Sequence, residues 1–351
     1  MRSSRALALA ALMAATATAQ EAKIPLVHKT KYSMGTVYEI AVYDPRPERA
    51  SSAIDQAFAE IVRLDAMMSN YKPESDLSRL NREGHFHRVA VPLELYEVIQ
   101  QSVKYSKLSQ GEFDITVAPL VDMWKAALRG ARVASEADQK KLRACVGYEK
   151  IALIPPDIVE FHSTCMRIDL GSIGKGFAVD RAVQVLRANG IRNALVDAGQ
   201  SSIYGMGAPP GKSAWEVHLC DPSRRIDPTV LLSENSVSTS EQTPPSLLGN
   251  EPTGHIIDPL NGKPLGTKYA LSVVAKTATA SDALSTTLLL VGPEKGKALV
   301  REIANAAAIW VAADGETATE TTGPDILLAG NPPREQTRVK IAGQELPREK
   351  P

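Results

Sequence analysis

Strand-patterned runs follow one another in the second half of this chain, near 193–204, 214–220, 229–239 and 269–276, each alternating in polarity and rich in β-branched residues. Parallel strands need crossovers of a dozen or more residues, usually helical, and no regular βαβ alternation is present. Helical spacing appears elsewhere. Ala53, Ile54, Ala57, Phe58, Ile61 and Leu64 recur on one face within 47–68. A second helix is predicted from about Pro92, a favoured first-turn residue, to Gly111, with Leu95, Val98, Ile99 and Val103 inward. A third follows Gly174 and stops near Gly190; 278–291 and 293–304 add two more before a strand at 306–313. Val27–Val42 is strand-like, Asn70–Asn81 is polar and loop-like, and 130–160 carries a charged segment before the apolar run Ile151–Ile158. The expected class is α+β, one large domain over 20–329 with mixed or antiparallel sheets and packed helices. Residues 330–351 read as a weakly ordered, polar, Pro-rich tail.

Met1–Ala19 has the pattern of a cleaved signal peptide. Arg2 and Arg5 start it, Ala6–Ala15 is a short apolar run, and Ala17-Thr18-Ala19 is a small-x-small site. The run is shorter than the ~20 residues a membrane span needs, so an exported, periplasmic protein with no membrane span after cleavage is expected. The 40 Lys and Arg balance 40 Asp and Glu, which argues against a nucleic-acid binder. Cys145, Cys165 and Cys220 permit one bridge and one leftover thiol in an oxidising compartment. Their spacing fits no metal site, and buried free thiols are the expectation.

Two glycine-rich runs look like nucleotide loops and fail. Gly171-Ser-Ile-Gly-Lys175-Gly176 has no hydroxyl after its lysine, and Gly205–Gly211 has the wrong spacing and two prolines. His85 and His87 stand two apart with no carboxylate or Cys cluster to complete a metal site, so they read as surface residues. Other residues carry more chemistry. Asp282 and Thr286 are four apart on a predicted helix and share one face. Their hard oxygens suit Mg²⁺, with water and phosphate completing its shell, although a helix cap would use the same residue types. Lys175 lies between Gly174 and Gly176, where backbone can approach a ligand. An unperturbed histidine titrates near neutrality, so His255 suits proton transfer, or a structural bond to Asp258.

Five segments occur in order: Met34-Gly35-Thr36; Met68–Tyr71 continuing to Ser75–Asn81; Gly111–Leu120; Ile168–Asp180; and His255–Pro259 with Ser281–Thr286. This series resembles the ApbE family of FAD:protein FMN transferases from about Lys31 to Leu328. The resemblance implies Mg²⁺-dependent transfer of FMN from FAD to a Thr or Ser hydroxyl on a redox protein subunit, with AMP released. It also implies a site. Met34, Tyr71, Glu112, Phe113, Asp114, Asp169, Lys175 and Ile256 would contact FAD. Asp282, Thr286 and the Ser172 carbonyl would hold metal, with Ser285 where some relatives carry a second Asp. His255 would handle the proton. The chain departs from the family pattern at Asp197–Ile203 and at Glu241–Pro245, which implies a reshaped entrance for the target protein. Two rival readings remain at this stage, an FAD pyrophosphatase and a noncatalytic periplasmic flavin-binding protein.

Overall fold

The computed structural model describes residues 24–130, 134–242, 246–248, 251–323 and 326–329. The signal pattern at 1–19 and the tail at 330–351 lie outside the described residues. The chain runs β1 (Leu26–Ser33), β2 (Thr36–Tyr43), α1 (Pro47–Met68), α2 (Asp76–Glu83), β3 (Val89–Ala90), α3 (Leu93–Leu108), α4 (Ala118–Leu128) and α5 (Glu136–Cys145). The hairpin β4 (Ile151–Ile154) and β5 (Ile158–Phe161) precedes α6 (Gly174–Ala188). Then come β6 (Asn193–Ala198), β7 (Ser202–Met206), β8 (Trp215–His218), β9 (Asp227–Leu232), β10 (Asn235–Glu241), β11 (Ser246–Leu248), β12 (Glu251–Thr253) and β13 (Tyr269–Ala275). The last elements are α7 (Ala278–Arg301), β14 (Ala307–Ala312), β15 (Thr317–Thr321) and β16 (Ile326–Ala329).

The central sheet has the order β1-β2-β6-β7-β10-β13-β14-β15, antiparallel at every pairing. Its two faces follow the two-residue period of a strand. On β2, Tyr38, Ile40 and Val42 enter a core shared with α1 and α6. Ala41 and Tyr43 enter a second core with Trp215, Val217 and Leu232 of the small sheet β16-β9-β8. Helices therefore cover one face and a second sheet the other, in an α+β domain as expected.

Helix α1 spans the predicted range, with all six of its spaced apolar residues buried. Val27–Val42 is a hairpin rather than one strand. Met34 and Gly35 turn it at φ 49° and 75°, the left-handed pair that a two-residue hairpin loop requires. The two predicted helices form one element, Ala278–Arg301, ending short of 304, and the φ of 76° at Gly292 before Pro293 separates its two halves.

Part of Asn70–Asn81 is helical, contrary to the loop reading. Ser75 caps α2 by accepting from the Ser78 N–H at 2.9 Å, and only Leu77 and Leu80 are buried. Two apolar residues are too few to reveal a period. Helices α4 and α5 were also unforeseen; the first buries Leu120, Val121 and Trp124 beneath the 255–265 loop. Cys145 and Cys165 form a disulfide, with Cα atoms 5.3 Å apart, and only Cys220 remains a free thiol. The free-thiol expectation failed because the β4–β5 hairpin folds back and brings two cysteines 20 residues apart together.

Candidate active site

The site is assembled where α6 crosses α7. A Cβ on Gly176 would sit 2.1 Å from the Ala278 carbonyl oxygen, so only glycine permits this approach. The lysine-flanking glycine thus serves helix packing. The crossing lets the Gly176 N–H donate to Asp282 Oδ2 at 2.8 Å. Asp282 is 3% exposed. Burial raises its carboxyl above the usual carboxylate value, against the opposing pull of Lys175, the Gly176 N–H and the Ser202 hydroxyl. Thr286 lies one turn further along, with its hydroxyl 3.2 Å from Ser240 Oγ.

These residues face a cleft of about 1110 Å³ between the β1–β2 turn, the 168–175 segment, the end of β10 and the 255–259 loop. Met34, Tyr71, Phe113, Asp114, Asp169, Ser172, Lys175, His255, Ile256, Asp282 and Thr286 all line it. Glu112 and Ser285 do not. Glu112 turns toward Lys295, 3.7 Å away. Ser285 is fully buried; it donates to the Asp282 carbonyl at 2.9 Å and lies 2.8 Å from Ser240 Oγ. Its hydroxyl is part of the helix–sheet contact, which corrects its expected place beside a metal.

Asp114 lines the cleft with its acceptors already engaged. It receives the Thr116 N–H and hydroxyl at 2.8 and 2.7 Å and the Tyr148 N–H at 2.8 Å. That makes it the staple of its turn. Phe113 is 1% exposed and packs edge-on to Tyr105, so it is mainly a core residue with one edge in the wall. Asp169 is half-buried, accepts the Gly171 N–H at 2.7 Å, and keeps acceptor capacity for a ligand. Met34 Sδ accepts a hydrogen bond from the Tyr38 hydroxyl at 3.2 Å. Tyr71 is 73% exposed, so its ring is free for stacking.

His255 is solvent-accessible, but it sits inside a concave wall. Partial desolvation, then the charges of Lys175 and Lys125, hold its imidazole below the ordinary histidine value. It is therefore neutral and able to accept a proton at physiological pH. Its loop is clamped by buried Gln242. That side chain accepts the Ile256 N–H at 2.8 Å and donates to the Leu265 carbonyl at 2.6 Å. Glu241 and Gln242, part of a stretch that departs from the family pattern, thus end a strand and hold the loop that carries His255.

Several supporting residues were missed. Asn81 exchanges hydrogen bonds with the backbone of Ile168 at 2.7 and 2.9 Å, and Asn70 adds a third at 3.0 Å. Two of the ordered segments are joined this way. Ser236, Ser238 and Ser240 alternate along β10 and meet Ser281, Ser202 and Ser285. That period-two run of hydroxyls in β10 was the signal available in sequence. Among the described residues no three His, Cys, Asp or Glu side chains gather as a metal cluster. A cation here must draw ligands from hydroxyls, carbonyls, water and phosphate. His85 is half-buried and His87 exposed, away from the cleft.

A family model described as the ApbE family matches residues 34–310. The FAD:protein FMN transferase of Treponema pallidum (strain Nichols) is 28% identical over 316 residues, covering 84% of this chain and 86% of that protein. That of Vibrio cholerae serotype O1 is 29% identical over 291 residues, covering 78% and 84%. The crystal structure of the Pseudomonas stutzeri flavinyl transferase ApbE, apo form, superposes with a TM-score of 0.75 at 28% identity, covering 85% of this chain and 95% of that one.

Proposed function

This chain belongs to the ApbE family, and from that premise we propose that it transfers FMN from FAD to a Thr or Ser hydroxyl of a redox protein subunit, using Mg²⁺ and releasing AMP. The relatives bearing the name FAD:protein FMN transferase support the reaction. The single observation that carries the reading for this chain is the convergence of Asp282, Thr286, Ser172, Lys175 and His255 on one cleft.

The donor set fits a magnesium ion. The Asp282 carboxylate, the Thr286 hydroxyl and the Ser172 carbonyl are hard oxygens, few enough to leave positions for phosphate and water. A carboxylate this buried, with one backbone N–H and one hydroxyl as its hydrogen-bonding partners and the charge of Lys175 beside them, keeps acceptor capacity for a cation. Bound there, Mg²⁺ would neutralise charge on the pyrophosphate. The protein supplies position and proton handling. Lys175 places an ammonium at the pyrophosphate, Tyr71 offers a ring face to the dinucleotide, and Ile256 packs beside it. His255 accepts the proton of the attacking hydroxyl. The hydroxyl oxygen bonds to the FMN phosphorus while the bridging P–O bond breaks toward AMP.

The test incubates the protein with FAD, Mg²⁺ and a flavin-accepting subunit, and follows covalent flavin fluorescence on the acceptor. Label appears, EDTA present from the start prevents it, and Asp282→Ala abolishes it. AMP release at full rate without acceptor would instead make the protein a pyrophosphatase. Export to the periplasm belongs to the same proposal. The Met1–Ala19 pattern and the Cys145–Cys165 disulfide, which suits an oxidising compartment, both support it. Among the described residues no helix is long and apolar enough to cross a membrane. A mature N-terminus at Gln20 in the periplasmic fraction is the expected result, and an intact Met1 in the cytosol would reject it.

A further inference from the structure

Lys125 lies on α4, past the end of the Gly111–Leu120 segment, on a helix that the sequence pattern did not announce. Its ammonium donates to the Tyr71 hydroxyl at 2.5 Å and lies 5.2 Å from the centre of the Tyr71 ring. The two distances differ by about the length from a phenol ring's centre to its oxygen. The ammonium therefore lies along the C–O direction, in the plane of the ring, rather than above its face. A cation over the face would compete with a stacking ligand; this one leaves both faces clear.

Among the described residues nothing comparable holds the ring elsewhere. Tyr71 is 73% exposed, and its backbone N–H bonds only to the Ser69 hydroxyl at 3.2 Å. An exposed side chain without packing is free to change rotamer, and ordering it on binding costs affinity. Lys125 itself rises from a well-anchored helix. The adjacent Trp124 is 1% exposed, and its indole N–H donates to the Gly262 carbonyl at 2.9 Å. Successive residues of α4 thus hold two walls of the cleft, Trp124 the loop that begins at His255 and Lys125 the aromatic ring opposite.

We infer that Lys125 is a positioning residue that pre-orients the Tyr71 ring as a stacking platform for a flat heteroaromatic ring of the dinucleotide. The inference rests on the flavin-transferase reading for its ligand, and its test needs no transfer activity. Equilibrium binding of FAD to the full chain is read from quenching of flavin fluorescence, with FMN and AMP titrated separately to show which ring occupies the platform. Lys125→Met weakens FAD binding about tenfold, the scale of one lost charge-assisted hydrogen bond. Lys125→Arg, which can still donate, restores most of it. Tyr71→Phe loses as much as Lys125→Met, and the double variant loses no more than either. Melting temperatures of the four variants stay with the wild type. If Lys125→Met weakens binding equally in the Tyr71→Phe background, Lys125 acts on phosphate directly and the positioning role is overturned. A Lys125→Met protein that binds FAD as tightly as the wild type overturns it as well. Wild-type protein that binds no FAD at all rejects the functional reading, and this one with it.

Discussion

Two aspartates serve the first turns of α7, and they are used in opposite ways. Asp180, on α6, accepts the N–H groups of Ala278 and Thr279 at 2.8 Å each and the Thr279 hydroxyl at 2.5 Å. With Thr277 accepting from the Ala280 N–H, it satisfies the donors that begin the helix. Asp282, one turn inward, has the Gly176 N–H and the Ser202 hydroxyl as hydrogen-bonding partners, and it lines the cleft. Burial raises both carboxyls. What separates them is unspent acceptor capacity next to open space. A carboxylate whose oxygens are filled builds structure, as Asp114 also does; one left partly unfilled in a cleft is poised for a cation.

Asp282→Asn and Asp180→Ala test that contrast most severely. Asp282→Asn lowers FMN transfer by at least about a hundredfold, the scale of losing a preorganised electrostatic contact. It also raises the melting temperature in metal-free buffer wherever the pH is high enough to ionise Asp282. Because the folded-state value of Asp282 is raised, its contribution favours folding below the unfolded value and is lost as pH rises through the folded one. Once ionised, the group therefore weakens the fold, and a neutral isostere relieves it. Asp180→Ala shows the reverse, with transfer within a few-fold of wild type and stability down by about 0.5–2 kcal/mol, as for a lost helix cap. A folded but inactive Asp180→Ala, or an active Asp282→Asn, breaks the distinction.

The glycines of the same crossing give a second, smaller test. A Cβ at position 176 meets the Ala278 carbonyl oxygen at 2.1 Å and Asp282 Cβ at 2.7 Å, whereas one at 174 meets only Leu170 Cβ at 3.7 Å. Gly176→Ala should cost about 1–3 kcal/mol of stability, as overpacking does, and lower transfer by moving Asp282 off its N–H donor. Gly174→Ala should be nearly silent in denaturant melts. Equal effects at the two positions would mean that the crossing adjusts and that Gly176 is not what sets the Asp282 geometry.

The parts of this molecule that were legible in its sequence are those whose information is local. Helix α1 declared itself because its apolar residues fall on one face and all become buried. Helix α2 buries only Leu77 and Leu80, and α5 only Cys145, so neither has a period to read. Asp282, Lys175 and His255 were found because each sits in a distinctive short segment. Lys125 and Gln242 were not, since each acts on a partner distant in sequence: Tyr71 across 54 positions, and Ile256 and Leu265 across 14 and 23. The Cys145–Cys165 bond is of the same kind, because its pairing is decided by the β4–β5 hairpin that lies between the two residues.

The mildest test separates the proton acceptor from the metal-site carboxylate. Both groups can produce loss of activity at acid pH, His255 by gaining a proton it must be free to accept and Asp282 by losing its charge. Their charged surroundings differ at Lys125. Lys175 acts on both, whereas Lys125 is among the charges that lower His255 and not among the causes that shift Asp282. The pH dependence of kcat/KM reports groups of the free enzyme. In the wild type the acid limb falls below the ordinary histidine value of about 6.5. Removing the Lys125 charge relieves repulsion of the imidazolium, so Lys125→Met moves the limb to higher pH if His255 controls it. A limb that stays in place while the overall level drops assigns the titration to Asp282 and leaves His255 without a proton-transfer role.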